Sequence, residues 1–515
     1  MAAALAQAAP DPAGPPTSGP VGPIFSDPAR IGQPPLPPAP APSPAPSPAP
    51  LPQPVPAPPL PSVVTEAPPQ RPVNQLPEPT ADPLRIERSS DPILAMARNS
   101  TSPAEFMTLV QQAVDRNPGV DEAQAGIAEA EAARREARAG YYPNGEIGLN
   151  STRSIARDFE SDDVDNIVER SRGKARTDLT MTLNQMLFDW GTTSSRVAAA
   201  GARLRAAASQ AEVSADEVAL RAIAAWYDVF AYRALVTLGS SFTSGQTDLR
   251  NAIQTRINQG VSAPGDLPRV ENYIANAEAG LARYRRQLAN AEARFQEIYG
   301  VAPPADLGRA PIVPGPAISS KDAAQALART APQVDTAEAL ARAARQEARA
   351  EYRATLPSVS AGVDAGRYDL LDGPDYDVRA RVTARYRFLG GVEARVEQSE
   401  ARAEQAEARA SRIRNEAERE AAIAWSDVQA LQQQLVALEN SYVASRQSRD
   451  VLAERFRVAR GTLFDLLESE SGYFNVAALY VRAITELDAA RYVLLSRTGQ
   501  LLPTLSIEPP TLEDR

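Results

Sequence analysis

Residues 377–387 read Asp377-Val-Arg-Ala-Arg-Val-Thr-Ala-Arg-Tyr-Arg387, and this stretch decides the fold. Apolar and polar side chains alternate along it: Val378, Ala380, Val382, Ala384 and Tyr386 against Arg379, Arg381, Thr383, Arg385 and Arg387. Successive side chains of a β-strand point to opposite faces, so the pattern predicts a strand with one apolar and one charged face. About ten such residues suit a tilted membrane-spanning strand with lipid outside and water inside. An ordinary amphipathic sheet is the alternative.

Three further segments alternate in the same way, so the chain is predicted to form four strands, near 143–154, 177–188, 357–367 and 376–388. An open sheet of four strands has two bare edges, which a lipid environment does not tolerate. The smallest bacterial membrane barrels have about eight strands, so one chain cannot close a barrel. Three chains with four strands each would close one of twelve. The predicted fold is therefore an α+β membrane protein, a homotrimer that contacts outer-membrane lipid.

The strands belong to a unit that occurs twice in the chain. An offset of 199 residues aligns Trp226 with Trp425, and Gly300 with Gly499. Earlier in the unit, Pro118 corresponds to Pro332 at an offset of 214. An internal repeat of this kind indicates duplication of one structural unit. The predicted organisation is a first repeat at 103–300, a connector at 301–320, a second repeat at 321–499 and a C-terminal tail at 500–515.

Long helical patterns flank the strands in both repeats. The predicted helices cover about 105–141, 192–258 and 266–299 in the first repeat, and about 321–355, 392–458 and 465–498 in the second. At 1.5 Å per residue the longest ones make rods of roughly 100 Å. Their Ala-rich faces favour close helix packing. We expect a barrel of helices that continues the β-barrel into the periplasm, and a solvent-exposed coiled coil is the alternative.

Residues 1–102 differ in composition from the rest of the chain and are predicted to form a signal-peptide remnant followed by a Pro/Ala-rich, disordered N-terminal segment. Met1–Gln7 resembles only the small-residue end of a signal peptide, so a signal-peptide remnant is expected there. Residues from about Pro10 to Pro83 are dominated by Pro and Ala, which favours an extended, disordered spacer.

Composition excludes several functions. The chain has no Cys and no His, which removes thiolate and imidazole chemistry and a lipid-modified N-terminal Cys. The net charge of −10 argues against a nucleic-acid partner. The sequence contains no apolar stretch of about 20 residues, so no membrane-spanning helix is predicted. We therefore predict no catalytic, cofactor or metal site.

The ordered set of motifs resembles the TolC-like outer-membrane efflux family over about 103–505. The matching features are the duplicated helix–strand–strand–helix unit, the Asn117-Pro118 opening, and the strand-to-helix junctions Phe188-Asp-Trp-Gly191 and Phe388-Leu-Gly-Gly391. The turns Gly260-Val-Ser-Ala-Pro-Gly-Asp-Leu267 and Ala459-Arg-Gly-Thr-Leu-Phe-Asp-Leu466 match as well. The resemblance implies a trimeric duct across the outer membrane and periplasm. Its implied partners are a periplasmic adaptor protein and an inner-membrane ABC or RND transporter.

The resemblance also implies a gate at the periplasmic tip. Asp465 and Glu468 match the positions of acidic rings, where three copies would favour cations. The alternative is that Asp465 only caps its helix, as Asp266 is expected to do. The expected tip residues for gating and adaptor contact are Gly260, Asp266, Phe456, Ala459, Arg460 and Gly461.

The tip departs from the family pattern at one hydrogen-bonded contact. The family uses a Tyr and an Arg where this chain has Phe456 and Gly461. Phe456 has no hydroxyl group, so that contact cannot form, and an ion pair of Arg455 or Arg460 with Asp266 is a possible substitute.

The polar face of the fourth strand is specific to this sequence. In a trimer, Arg379, Arg381, Arg385 and Arg387 would place twelve arginines in the barrel lumen. Asp364, Glu146 and loop carboxylates could neutralise them, and a positively charged vestibule is the other hypothesis.

The chain is predicted to be the passive outer-membrane exit duct of a tripartite export system. Type I protein secretion is the preferred system. Multidrug or small-molecule efflux is the alternative within the class. A soluble coiled-coil scaffold is an alternative of another class, although it would leave the duplicated strands unexplained.

Overall fold

The computed structural model describes residues 76–80, 86–98, 100–156, 175–312, 315, 318–370, 373, 375–386 and 390–508. These residues belong to a single unit that spans Gln70–Arg515. Most of the N-terminal segment therefore lies outside the described residues, as does Arg387.

The four predicted strands are present and form one antiparallel sheet. They are β1 (Asn144–Arg153), β2 (Ala175–Phe188), β3 (Ser358–Arg367) and β4 (Tyr376–Arg385). Their spatial order is the order of the chain, β1-β2-β3-β4. β1 and β4 are therefore the two edges of the sheet.

The helices of the first half are α1 (Pro92–Met96), α2 (Pro103–Asp115), α3 (Pro118–Ala139), α4 (Thr192–Asn258) and α5 (Asp266–Tyr299). Those of the second half are α6 (Lys321–Ala328), α7 (Pro332–Arg353), α8 (Val392–Arg457), α9 (Leu463–Arg497) and α10 (Leu501–Leu505). α4 has 67 residues and α8 has 66. Each is a rod of roughly 100 Å at 1.5 Å per residue.

The helices pack in an order that follows the sheet. α3 leads into β1, α4 follows β2, α7 leads into β3 and α8 follows β4. α3 packs on α4, α4 on α7, and α7 on α8. The strand layer thus continues directly into a helix layer of the same order. Beyond that layer, α4 and α5 form one hairpin, α8 and α9 form a second, and α9 packs on α4.

Two of the predicted helices are each divided in two. The helix expected near 105–141 is α2 followed by α3, and that near 321–355 is α6 followed by α7. Pro118 and Pro332 cause both breaks because proline has no N–H to continue a helix, yet fits the first turn of a new one. The Asn117 side chain caps α3 by accepting a hydrogen bond from the Gly119 N–H at 2.9 Å.

The main core lies where the two hairpins meet. Trp226 is 1% exposed, and its ring meets Phe106 edge-on with centroids 5.3 Å apart. The Trp226 indole N–H donates to the Gly308 carbonyl at 2.9 Å. Its counterpart Trp425 is only partly buried, in a smaller cluster between α6, α8 and α9. The two repeats therefore share their fold but not their packing.

The N-terminal segment is ordered at its end, which corrects the disordered segment predicted up to residue 102. Ile93, Leu94 and Met96 of α1 are buried in the main core. Asp91 caps α1 by accepting hydrogen bonds from the N–H groups of Ile93 and Leu94, at 2.8 and 3.0 Å. The same buried carboxylate pairs with Arg446 of α8. The Pro-rich composition of the segment therefore does not predict that residues 86–98 join the core.

Within the described part of the chain, no helix is both long and apolar enough to cross a bilayer.

Candidate functional site

The strand register assigns the apolar side chains of all four strands to one face of the sheet. Val382 of β4 pairs with Ala361 of β3, Val363 of β3 pairs with Leu183 of β2, and Met181 of β2 pairs with Ile147 of β1. Residues directly opposite each other in a ladder share a face. Ile147 is 72% exposed and Val382 is 73% exposed in the single chain. A continuous apolar face that no described residue covers suits contact with lipid.

The opposite face of the sheet is polar and holds Arg379, Arg381 and Arg385 of the predicted row of arginines. The Arg381 guanidinium lies 2.9 Å from the Asp364 carboxylate and donates to the Asn184 side-chain oxygen at 3.1 Å. Arg379 pairs with Asp377 of the same strand. Arg385 lies opposite Ser358, which carries no charge. The face is therefore partly neutralised, and its polar side chains suit a water-filled lumen.

Aromatic side chains mark the level at which the strands give way to the helices. Tyr142, Phe188, Trp190 and Tyr352 are each at least half exposed. Phe188 and Trp190 pack edge to face at 4.9 Å, and the Trp190 indole N–H donates to the Pro357 carbonyl at 2.8 Å. Tyr and Trp are enriched at both membrane–water interfaces, where their amphipathic rings sit at the headgroup level. Such a band suits a membrane–water interface at this end of the sheet.

The second helix turn, between α8 and α9, lies at the far end of the rods. Ala459 adopts a left-handed conformation with a φ of 58°. The Arg460 N–H donates to the Arg455 carbonyl at 2.8 Å. A side chain at Gly461 would place its Cβ 3.2 Å from the Phe456 backbone nitrogen, so the turn closes tightly at this glycine.

Both predicted gate residues are exposed at the start of α9. Asp465 does not cap this helix, because Thr462 is the N-cap and its side chain accepts the Asp465 N–H at 3.2 Å. The Asp465 carboxylate is therefore free of the capping role. Glu468 is three residues further on, one turn away on the same side of the helix. The two acids form an exposed negative patch beside the turn.

In the first helix turn, between α4 and α5, Asp266 does not have the role that was predicted for it. Gly260 has a φ of 75°. Asp266 is the first residue of α5, after Gly265 as the N-cap, so it is not the capping residue that was predicted. Among the described residues, Asp266 forms no ion pair with Arg455 or Arg460.

A different arginine joins the two turns. Arg256, near the end of α4, donates to the Phe456 carbonyl at 3.0 Å. Its guanidinium also lies 4.6 Å from the centre of the Phe456 ring, within the range of a cation–π interaction. The phenylalanine at this position therefore offers Arg256 a ring face and a carbonyl instead of a hydroxyl group. Arg256 carried no local sequence signal and was not predicted.

Further contacts hold the hairpins together above the turns. Ile253, Val270, Leu463 and Leu467 form a small buried cluster that includes side chains from both hairpins. A hydrogen bond joins Gln246 of α4 to Glu470 of α9. Burial raises the pKa of the Glu470 carboxyl group, although the charge of Arg449 opposes this. The tip is thus a packed contact between the hairpins.

Comparison with known proteins gives consistent results. The outer membrane efflux protein family matches residues 109–301. The outer membrane efflux protein BepC of Brucella suis biovar 1 (strain 1330) is 24% identical over 349 residues, which cover 64% of this chain and 75% of BepC. The outer membrane protein VceC of Vibrio cholerae matches the fold with a TM-score of 0.67 at 17% identity, covering 77% of this chain and 96% of VceC. The CmeC outer membrane channel of Campylobacter jejuni has a TM-score of 0.69 at 12% identity, covering 77% of this chain and 86% of CmeC.

The two-faced sheet, the aromatic band and the helical rods have the architecture of an outer-membrane channel with a large periplasmic part, and the matched family and solved neighbours are channels, not enzymes. The family match over residues 109–301, the likeness to BepC and the shared fold of the solved channels all agree with the resemblance to TolC-like outer membrane efflux proteins found in the sequence.

Proposed function

We propose that three copies of this chain close a barrel of twelve strands. The observation that carries this proposal is the four-stranded sheet with an exposed apolar face and two free edges, β1 and β4. Unpaired edge strands are not tolerated in lipid, so the edges must pair with other chains. Two chains would give eight strands, whose interior is filled by side chains, whereas twelve leave room for an aqueous lumen.

The duct extends from this barrel through the periplasm. Each chain adds four helices in the order of its strands, so three chains make a ring of twelve helices below the barrel. The rods reach roughly 100 Å from the membrane surface. A duct of this length serves a tripartite system, in which a periplasmic adaptor and an inner-membrane ABC or RND transporter deliver cargo to its tip.

The helix turns form the controlled end of the duct. Asp465 and Glu468 are exposed beside the second turn, and three copies around an axis would make a negative constriction that favours cations. Gly260, Asp266, Phe456, Ala459, Arg460 and Gly461 build the turns that gate the duct and meet the adaptor. The contact of Arg256 with Phe456 is the latch between the hairpins.

The first candidate for the cargo is protein exported by a type I secretion system. The lumen face of the strands is formed mainly by Ser, Thr, Asn and charged side chains, which suits a hydrated polypeptide more than an apolar ligand. The second candidate is small-molecule or drug efflux. The relative from Brucella, which is named an outer membrane efflux protein, supports it.

Deletion of the gene distinguishes the two candidates. Loss of one or more secreted proteins from the culture medium, with unchanged drug sensitivity, is expected for type I secretion. Increased sensitivity to several drugs with an unchanged set of secreted proteins would instead identify an efflux duct. A soluble chain in cell fractions that lack outer membrane would contradict both and would favour a coiled-coil scaffold.

A further inference from the structure

A groove lined by arginines lies between α3, α4 and α7, outside the sheet and the tip. Its volume is about 400 Å³. Five arginines line it: Arg134 of α3, Arg205 of α4, and Arg342, Arg345 and Arg349 of α7. No Asp or Glu is among the described residues of its lining. Such a concentration of positive charge is unexpected in a chain with a net charge of −10.

The groove is built by helix spacing and by small residues. Arg342, Arg345 and Arg349 are three and four residues apart, so they lie on one face of α7. The facing surface of α4 is formed by small side chains around Gly201. A Cβ atom at Gly201 would lie 3.8 Å from Nε of Arg134, so the Arg134 guanidinium packs over this small-residue surface. That Nε atom is buried and has no hydrogen-bond partner among the described residues.

The charges of the groove are mostly not neutralised by the chain itself. Arg345 pairs with Glu407 of α8. Arg134, Arg205, Arg342 and Arg349 form no ion pair with a described carboxylate. A buried, unsatisfied donor and several unpaired guanidinium groups around one cavity indicate a site for an anion.

The same two helices carry a neutralised arginine elsewhere. Arg203 of α4 lies 2.5 Å from Glu347 of α7. Arg203 is two residues from Arg205, and at 100° per residue it projects from nearly the opposite side of the helix. Glu347 therefore neutralises an arginine on the side of α4 that faces away from the groove, and it does not neutralise the arginines in the groove.

The groove begins just below the aromatic band. Arg349 is four residues from the end of α7, which corresponds to about 6 Å along the helix. Arg134 is five residues from the end of α3, or about 8 Å. The polar headgroup layer of a bilayer is about 5–8 Å thick on each side of the hydrocarbon core. Arg349 and Arg134 therefore lie at about the depth of the inner boundary of the headgroup layer, within reach of headgroup phosphates.

We propose that this groove binds a phosphate-bearing group. Guanidinium groups form bidentate hydrogen bonds with phosphate oxygens, and arginines that converge from three helices can surround a tetrahedral anion. The phosphate has two possible sources: an anionic phospholipid of the periplasmic leaflet, and a soluble phosphate compound of the periplasm.

The test uses the full chain, purified in a neutral detergent and freed of lipid. Short-chain phosphatidylglycerol and inorganic pyrophosphate are titrated separately by calorimetry, with short-chain phosphatidylcholine as the lipid of zero net charge. The groove variant is the double substitution Arg205→Gln/Arg349→Gln. The matched control is Arg203→Gln/Arg135→Gln, which removes the same charge from arginines that are paired with Glu347 and Glu131.

The expected result is that phosphatidylglycerol binds in preference to phosphatidylcholine. The groove variant should bind it at least about tenfold more weakly, because each lost hydrogen bond to a charged group is worth about that much. The control should stay within about twofold of the unmodified chain. Binding of pyrophosphate alone, with the same dependence on the groove arginines, would support the proposal with a soluble source. Absence of binding by both probes, or equal weakening in the control, would overturn it.

Discussion

Replacement of Arg256 by Ala should open the tip of the duct, because this side chain joins the two hairpins. The substitution removes the hydrogen bond to the Phe456 carbonyl, which is 3.0 Å long, and the cation–π contact at 4.6 Å. A half-buried hydrogen bond from a charged donor contributes about 1.5 kcal/mol, and a cation–π contact about 0.5–1 kcal/mol. The sum of about 2 kcal/mol per chain corresponds to a shift of roughly 30-fold towards separated hairpins.

Conductance of single channels in planar bilayers measures this shift as an increased open probability. Entry of a large hydrophilic antibiotic into cells that carry the variant provides an independent measurement. Phe456→Leu gives a graded comparison, because it removes the ring but keeps the carbonyl. Its effect should be about 0.5–1 kcal/mol, clearly smaller than that of Arg256→Ala.

Arg250→Ala is the matched control for this prediction. Arg250 is also on α4 and pairs with Glu271 at 3.3 Å, but Glu271 belongs to the same hairpin. Loss of that pair does not release one hairpin from the other, so the open probability should stay near that of the unmodified channel. Equal opening by Arg250→Ala and Arg256→Ala would refute the role assigned to the contact between the hairpins.

Three further predictions concern charge at the tip, the N-terminal segment and a buried acid. Asp465→Asn/Glu468→Gln should reduce cation selectivity, seen as a smaller reversal potential in a salt gradient, because the negative patch is removed. Asp91→Ala should lower the free energy of unfolding by about 3–5 kcal/mol, since it leaves a buried arginine unpaired, and a melting curve measures the loss. Burial raises the pKa of Asp216 from 3.8 to about 6, so the folded chain binds this proton more tightly than the unfolded chain and loses stability progressively as the pH rises from about 4 to about 6. Asp216→Asn should therefore raise stability by up to about 3 kcal/mol near pH 8, and the gain should vanish as the pH falls towards 4.

Each of the three has a control in the chain. Asp266→Asn removes a charge from the other turn and should change selectivity less than the double variant. Arg88→Ala breaks an exposed pair with Glu439 at 3.2 Å, which should cost below about 1 kcal/mol. Glu217→Gln, at the exposed neighbour of Asp216, should change the free energy of unfolding by less than about 0.5 kcal/mol. A result in which a control matches its variant would contradict the corresponding prediction.

The strands and rods could be predicted because their signals are local and occur twice. β4 alternates strictly over ten residues, and the structure places β3 and β4 within a few residues of the predicted limits. The 67 residues of α4 contain no proline, and its limits agree with the predicted helix 192–258. Apolar side chains recur every two residues in a strand and about every 3.6 residues in a helix. In segments as long as these, the two patterns are easily distinguished.

Breaks and long-range anchors were harder to predict. Pro118 and Pro332 do carry a local signal for both breaks, because proline has no N–H to continue a helix, yet the helices predicted near 105–141 and 321–355 ran through them. Asp91 depends on Arg446, which is 355 residues away in the chain. The surrounding Pro-rich composition gave no sign that residues 86–98 would join the core.

The latch at the tip was beyond prediction for the same reason. Arg256 and Phe456 are 200 residues apart, and neither residue type indicates the other in sequence. The sequence showed only that Phe456 has no hydroxyl group. The geometry of the two turns decides that a ring face and a backbone carbonyl take its place.

The closure of a barrel by three chains is the central claim, and disulfide cross-linking between edge strands tests it most directly. The natural chain has no cysteine, so a Cys at Glu146 of β1 can be combined with a Cys at each of positions 379, 381, 383 and 385 of β4 in turn. In oxidised outer membranes, at least one combination should give covalent dimers and trimers with no larger product, while chains with one Cys should give no trimer. A product that stops at the dimer, an open series of larger products, or no cross-link in any combination would contradict the account.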